Sequence, residues 1–238
     1  MPNLSAYQGA VYNLLQAPTS PTPLVPLSTV TSYINIARQQ LAADAECVRG
    51  IGQLLALSGI RGFSFTDITI SENGYGTPIA VRQFRLTANS KPLDFRSWDW
   101  FQQYILPKSS IGIPKTVAQL RQGTSGTILL DPVPANDTPL LVDTVWLPIP
   151  LVNDSTVEAI PYPWTDAVQF YAAWLAFMQL QRQADADTML SRYKELAWRG
   201  RQESTSTQLP DNFQGGQGSQ AAASKSTLTH NQAAAARR

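Results

Sequence analysis

A mixed α+β fold is what this sequence predicts: helices at both ends of the folded part, an antiparallel β-sandwich or barrel-like domain inserted between them, and a flexible carboxy-terminal tail. Three observations predict it. Apolar residues recur every three or four positions over residues 4–15, 28–45 and 165–199, the period of a helix face. From about 49 to 150, short stretches of alternating apolar residues are separated by Gly, Ser, Asn and Pro, the texture of many short strands. Beyond Gly200, small and polar residues take over and large apolar side chains almost vanish. Such a composition buries too little surface to offset its ordering entropy, so the segment should be mobile until a partner orders it. The expected division is 1–48 for the first helices, 49–150 for the β domain, 151–201 for helices packing on 1–48, and 202–238 for the tail.

The elements follow in order. Leu4, Val11, Leu14 and Leu15 mark a short amphipathic helix that ends before the proline-rich loop at 18–23. Ser28 or Thr29 is placed to cap a second helix, with Tyr33, Ile36, Ala37, Leu41 and Ala45 on one face. Ser58-Gly59 between 51–57 and 60–65 reads as a hairpin turn. Residues 68–70, 79–86, 116–121, 127–130 and 140–147 continue the strand pattern, and Trp98, Phe101, Gln102 and Ile105 predict a helix within about 92–106. Thr165-Asp166 starts a long helix with two apolar stripes: Val168, Tyr171, Ala172, Leu175 and Met178, then Phe170, Ala173, Trp174 and Phe177. A helix apolar on most sides sits between other elements or at a subunit interface. A last helix spans 184 to about 199, with Arg192, Lys194, Arg199 and Arg201 near its end, where cations favour the helix dipole.

Composition narrows the function. With 15% charged residues and a net charge of +1, the chain lacks the basic excess of a protein built to grip nucleic acid. The apolar run at 167–180 is shorter than the ~20 residues a membrane span needs, so no membrane segment is expected. No secretory signal is expected from the first residues either. Cys47 is the one cysteine and His230 the one histidine, which leaves no disulfide, no zinc set and no rigid Ser-His or Cys-His site to propose. Asp131, Asp137, Asp143, Asp154, Glu158 and Asp166 are the carboxylate candidates for a hydrolytic pair or a hard cation. Most stand in turns or at a helix start, where an acid serves as a cap or a solvated turn residue. No catalytic residue, cofactor or metal is assigned.

Certain strings resemble a known family. Val30-Thr31-Ser32-Tyr33-Ile34-Asn35-Ile36-Ala37-Arg38 is similar to the early helix of the tailed-bacteriophage head-to-tail (portal) adaptor, or connector, proteins. The segment 122–134, with Gly123-Thr124-Ser125-Gly126 and Asp131-Pro132-Val133-Pro134, is similar to their central strand and turn. The most specific run is 147–168, from Leu147-Pro148-Ile149-Pro150-Leu151-Val152 through Tyr162-Pro163-Trp164-Thr165-Asp166, leading straight into the long helix. The resemblance covers roughly residues 4–213.

That resemblance implies a virion protein made in the bacterial cytoplasm and placed in the neck. Twelve copies would form a ring beneath the portal protein and meet a tail or nozzle protein, and genomic DNA would touch the lumen in passing. Portal contacts are then expected from Arg199, Arg201, Leu209, Phe213, Arg237 and Arg238, and subunit contacts from Trp100, Tyr171, Trp174 and Phe177. Other readings are a β-sandwich tail accessory or carbohydrate-binding module stacking sugars on exposed tryptophans, a carboxylate-based hydrolase, and a different ring component of the neck.

Overall fold

Asn3 begins the first helix, its side chain accepting the Ala6 N–H at 3.0 Å. The computed structural model describes residues 2–16, 24–88, 91–108, 110–121 and 123–206, with side chains as far as 201. Helix α1 (Leu4–Leu15) buries Leu4, Tyr7, Val11 and Leu15, and ends where Gln16 turns into the left-handed region. Helix α2 (Leu27–Ala45) buries Val30, Ile34, Ala37, Arg38, Leu41 and Ala45. These positions keep helical spacing but rotate the buried face away from Ile36, which is exposed. Neither Ser28 nor Thr29 caps α2. Its N-cap position is Pro26, without a side-chain bond, and the fixed φ of proline supplies the entry instead.

Strand β1 (Arg49–Ala56) is followed by β2 (Gly62–Ser64), a 3-10 turn, β3 (Tyr75–Leu86), β4 (Asp94–Arg96) and helix α3 (Trp98–Tyr104). Then come β5 (Ile111–Gly112), β6 (Thr116–Gln119), β7 (Thr127–Asp131), β8 (Val133–Pro134) and β9 (Thr138–Pro148). The architecture is mixed α+β with several sheets. One has the order β1-β9-β3, a second β2-β7-β6-β4, and the third joins β5 to β8.

Three expectations change. The stretches 51–57 and 60–65 form no hairpin: β1 pairs with the distant β9, Arg49 with Val145 through Ala56 with Thr138, while β2 pairs with β7. Local turn chemistry was overruled by the larger apolar surface of the longer β9. The pairings are not all antiparallel, since β4–β6 and β5–β8 run parallel. The segment 92–106 is helical only from Trp98 to Tyr104, because Asp94–Arg96 is drawn into the second sheet.

β9 carries the β core. Leu140, Val142, Thr144 and Trp146 point inward and are fully buried. Facing them on β1 are Leu54, Gly52 and Gly50, in register with Leu140, Val142 and Thr144. The glycines are there for room. A Cβ on Gly52 would lie 2.6 Å from Ile68 Cγ2 and 3.0 Å from the Trp146 ring, and one on Gly50 would lie 2.7 Å from Ile70. Their absence lets the 68–70 segment lie against β1, where Gln53 and Thr69 exchange backbone hydrogen bonds at 2.7 and 2.9 Å.

Helix α4 (Thr165–Gln179) packs on α1 and α2, and α2 in turn contacts β9, so helices and sheet share one core. Helix α5 (Gln183–Ser206) is held by the Tyr193 hydroxyl, which donates to Asp44 Oδ2 at 2.6 Å, and by Gly200 lying directly on the Trp164 indole. It runs past the expected end at 199, so its last turn holds no basic residue and the dipole argument for Arg199 and Arg201 lapses. The chain divides into a unit of Met1–Arg201 and a second of Gln202–Arg238, of which only the continuation of α5 to Ser206 is described.

A buried polar junction ties α2 to the connector after β9. Arg38 Nε and Nη2 meet the Glu158 carboxylate at 2.9 and 2.8 Å, and Nη1 donates to the Ile149 carbonyl at 2.7 Å. Asn35 Oδ1 accepts the Leu151 N–H at 2.8 Å while Asn35 Nδ2 donates to the Leu151 carbonyl at 3.1 Å. Glu158 also accepts the Ile160 N–H at 2.9 Å. Both charged side chains are 1% exposed.

Removing one partner strands the other, so Arg38→Met or Glu158→Leu should each cost about 3–5 kcal/mol in urea denaturation, and the double replacement Arg38→Met/Glu158→Leu far less than the sum. A double variant that loses the sum of the two single losses would refute the coupling. Gly52→Ala should cost about 1–3 kcal/mol by overpacking, read from the same denaturation curves.

Candidate interaction surfaces

The residues expected at contacts fall into three groups. Phe177 is the clearest correction. It is 2% exposed inside the core of its own chain, with the Arg182 guanidinium 4.8 Å from its ring centre. It has no surface to offer a neighbour, because it is enclosed in the core formed by its own chain. Tyr171 and Trp174 are half-buried and largely occupied within the chain. Their rings meet edge to face at 4.9 Å, and Tyr171 meets Tyr193 of α5 at 4.7 Å. Burial, and then the charge of Asp44, pushes the Tyr171 hydroxyl up, and Tyr193 is pushed up by burial and by its bond to Asp44. The Tyr193 phenol acts as a hydrogen-bond donor to Asp44, and both rings serve as packing surface. Trp100 is half-buried on α3, with Arg96 over its ring at 5.1 Å and Tyr104 at 5.6 Å.

On α5, Arg199 is exposed and approaches Glu195 at 3.5 Å, while Arg192 approaches the same residue at 3.3 Å. Such solvated pairs contribute little to stability and leave the cations available to a partner. Arg201 is exposed. Leu209, Phe213, Arg237 and Arg238 lie outside the described residues, as do His230 and the proline-rich loop at 18–23. Sequence reasoning grouped Trp198 with the other tryptophans as core or interface packing and did not single it out; it is 65% exposed. It stands beside a depression of about 340 Å³ lined by Asp44, Tyr193, Lys194 and Arg201. Helical spacing did carry the signal: Trp198 is four residues from Lys194 and three from Arg201, on the polar side of the stripe set by Tyr193 and Ala197.

A second surface was also missed. On β1 the even positions turn inward, so Arg49, Ile51, Gln53 and Leu55 face out, with Ile51 and Leu55 exposed. The run Leu54-Leu55-Ala56-Leu57 is apolar on both faces and hides which one is buried; only the alternate Gly50 and Gly52 hint at it. The outer face continues through Leu141 and Asp143 of β9 to Gln83 and Arg85 of β3, around a depression of about 320 Å³.

The acids stand in structural roles. Asp137 accepts the Ser58 N–H and Asp154 the Ser5 N–H, each at 2.8 Å. Asp166 sits in the first turn of α4, where the helix dipole favours it. The other three are ion-paired rather than solvated: Asp143 with Arg49, Glu158 with Arg38, and Asp131 with Arg61 at 3.6 Å. Burial pushes the Asp131 carboxyl up while Arg61 opposes the shift. Cys47 is pushed up to about 12, chiefly by burial, which disfavours a thiolate. Among the described residues no three His, Cys, Asp or Glu side chains gather to hold a metal ion, and no helix is long and apolar enough to cross a membrane. Compared with known proteins, the chain matches no family model and no curated protein.

Core and surface aromatics should separate on truncation. Phe177→Ala should cost about 3–5 kcal/mol in chemical denaturation. Trp198→Ala should stay within about 0.5 kcal/mol of the parent. A large loss for the second variant would place Trp198 in the core and remove it as a contact residue.

Proposed function

We propose that this chain is a structural virion protein, a head-to-tail adaptor of a tailed bacteriophage that forms a ring between the portal protein and the tail. The observation that carries this reading is the junction between α2 and the connector. Two of the strings that resemble the adaptor family, 30–38 and 147–168, are far apart in sequence. They supply both sides of one buried network, Asn35 and Arg38 from the first, Ile149, Leu151 and Glu158 from the second. The residues behind the resemblance are therefore those that organise the helical part of this chain.

In this reading α1, α2, α4 and α5 make the helical part, and 49–150 the inserted β-sandwich or barrel-like part. The helical part faces the portal and the β part faces a tail or nozzle protein. Arg199, Arg201 and Trp198 on α5, with the 202–238 segment that includes Leu209, Phe213, Arg237 and Arg238, contact the portal. An exposed tryptophan beside arginines has the residue types that dominate binding energy at protein interfaces. Trp100, Tyr171 and Trp174 retain partial exposure for neighbouring subunits. Genomic DNA passes through the lumen with brief contact, which the net charge of +1 suits, since a strongly basic wall would hold phosphates.

Mixing the purified chain with the portal protein of the same phage should yield a discrete ring on the portal, seen by native mass spectrometry and electron microscopy. Deleting 202–238 should leave the unfolding transition of Met1–Arg201 in place while weakening portal binding. A chain that stays monomeric beside its portal overturns the proposal; monomer in isolation does not, because ring subunits often assemble only on their partner.

A further inference from the structure

We infer that the outer face of the β1-β9-β3 sheet receives the 152–157 loop of the next copy of this chain, making one heterologous contact of the ring. The inference rests on the adaptor reading for the existence of a ring, and goes beyond it in naming the two faces.

The receiving face is apolar with a positive excess. Ile51 is 65% and Leu55 54% exposed, unusual for aliphatic side chains on a strand facing water. Arg49 and Asp143 neutralise each other, but Arg85 does not share that pair. Its guanidinium is bound by Gln83 Oε1 at 2.8 and 3.1 Å and by no carboxylate among the described residues. A depression of about 320 Å³ opens between these side chains.

The inserting face has the opposite character. From 122 to 181 the sequence contains six acids and neither Lys nor Arg. Within that stretch the 152–157 loop puts Val152 77% and Val157 49% into solvent, on either side of Asp154. Its shape is set: Asn153 Oδ1 accepts the N–H groups of Ser155 and Thr156, each at 3.1 Å. The turn carrying Glu72 packs against the loop through Gly74, where a Cβ would lie 3.1 Å from the Val157 carbonyl. The loop is thus an ordered apolar knob with a negative rim.

A knob and a depression of opposite charge give each copy two different patches, as a cyclic ring requires. They call for head-to-tail contact, which repeats from copy to copy until the ring closes. Val152 entering beside Ile51 and Leu55 removes all three from water, while Asp154 comes within range of Arg85. The charges set orientation and discriminate against wrong partners.

The test uses the full chain with its portal protein. Arg85→Asp and Asp154→Arg should each weaken ring formation by about tenfold, and the double reversal in one chain should restore it. Independently, Ile51→Cys/Val152→Cys in a Cys47→Ala background should give a ladder of disulfide-linked copies on mild oxidation. Rings that form normally in both single variants, or an Ile51→Cys/Val152→Cys chain that forms rings without crosslinks, overturn this contact while leaving the adaptor reading intact. Absence of any ring from the unmodified chain and its portal overturns both. Crosslinks confined to closed dimers point instead to an isologous pair and also refute the contact.

Discussion

A guanidinium and a carboxylate taken out of water each lose several kcal/mol of hydration, and the loss is recovered only when geometry supplies every replacement bond. Arg38 and Glu158 meet that condition because three separate pieces of chain converge on them. Helix α2 brings Arg38 and Asn35, the stretch just past β9 brings Ile149 and Leu151, and the later part of the connector brings Glu158 and Ile160. Tyr7 of α1 closes the same pocket, its hydroxyl pushed up by burial and by the Glu158 charge beside it. If any one piece shifts, a buried charge loses its partner. The arrangement therefore fixes where the sheet ends relative to α2 and where α4 begins relative to both.

The sheet obeys a steric constraint of a different kind. Trp146 is fully buried near the end of β9, and on the β1 side the strand must leave room for its indole. Gly50 and Gly52 provide that, and the 68–70 segment fills the space a side chain would have taken. The consequence reaches the surface. With its inward positions small, β1 sits low on the core and turns Ile51 and Leu55 to the outside. The interior and the candidate interface are thus two results of one alternating pattern.

Apolar surface is divided unevenly between fold and partners. The helical stripes that looked like subunit contacts are mostly consumed inside the chain: Phe177 entirely, Tyr171 and Trp174 against Tyr193 and each other. Among the apolar surface left outside are the β1 face, the 152–157 loop and Trp198. Each combines exposed apolar atoms with charge, the composition of a contact made after folding rather than of a core.

The sequence by itself determined the elements whose evidence is local. Helix α1 spans Leu4–Leu15 as its period predicted, α4 starts at Thr165 as predicted, and the strands at 79–86, 127–130 and 140–147 lie within β3, β7 and β9. Period and capping act between residues a few positions apart, so they are legible in a string. Tertiary structure alone decided which strands pair, which side of an apolar helix is already occupied, and that Glu158, placed like a solvated turn acid, is the buried partner of Arg38. It also decided that Ile51 faces water while Leu54 does not. Those outcomes depend on competition between distant surfaces for the same partners, and a residue's neighbours in sequence carry no record of who wins.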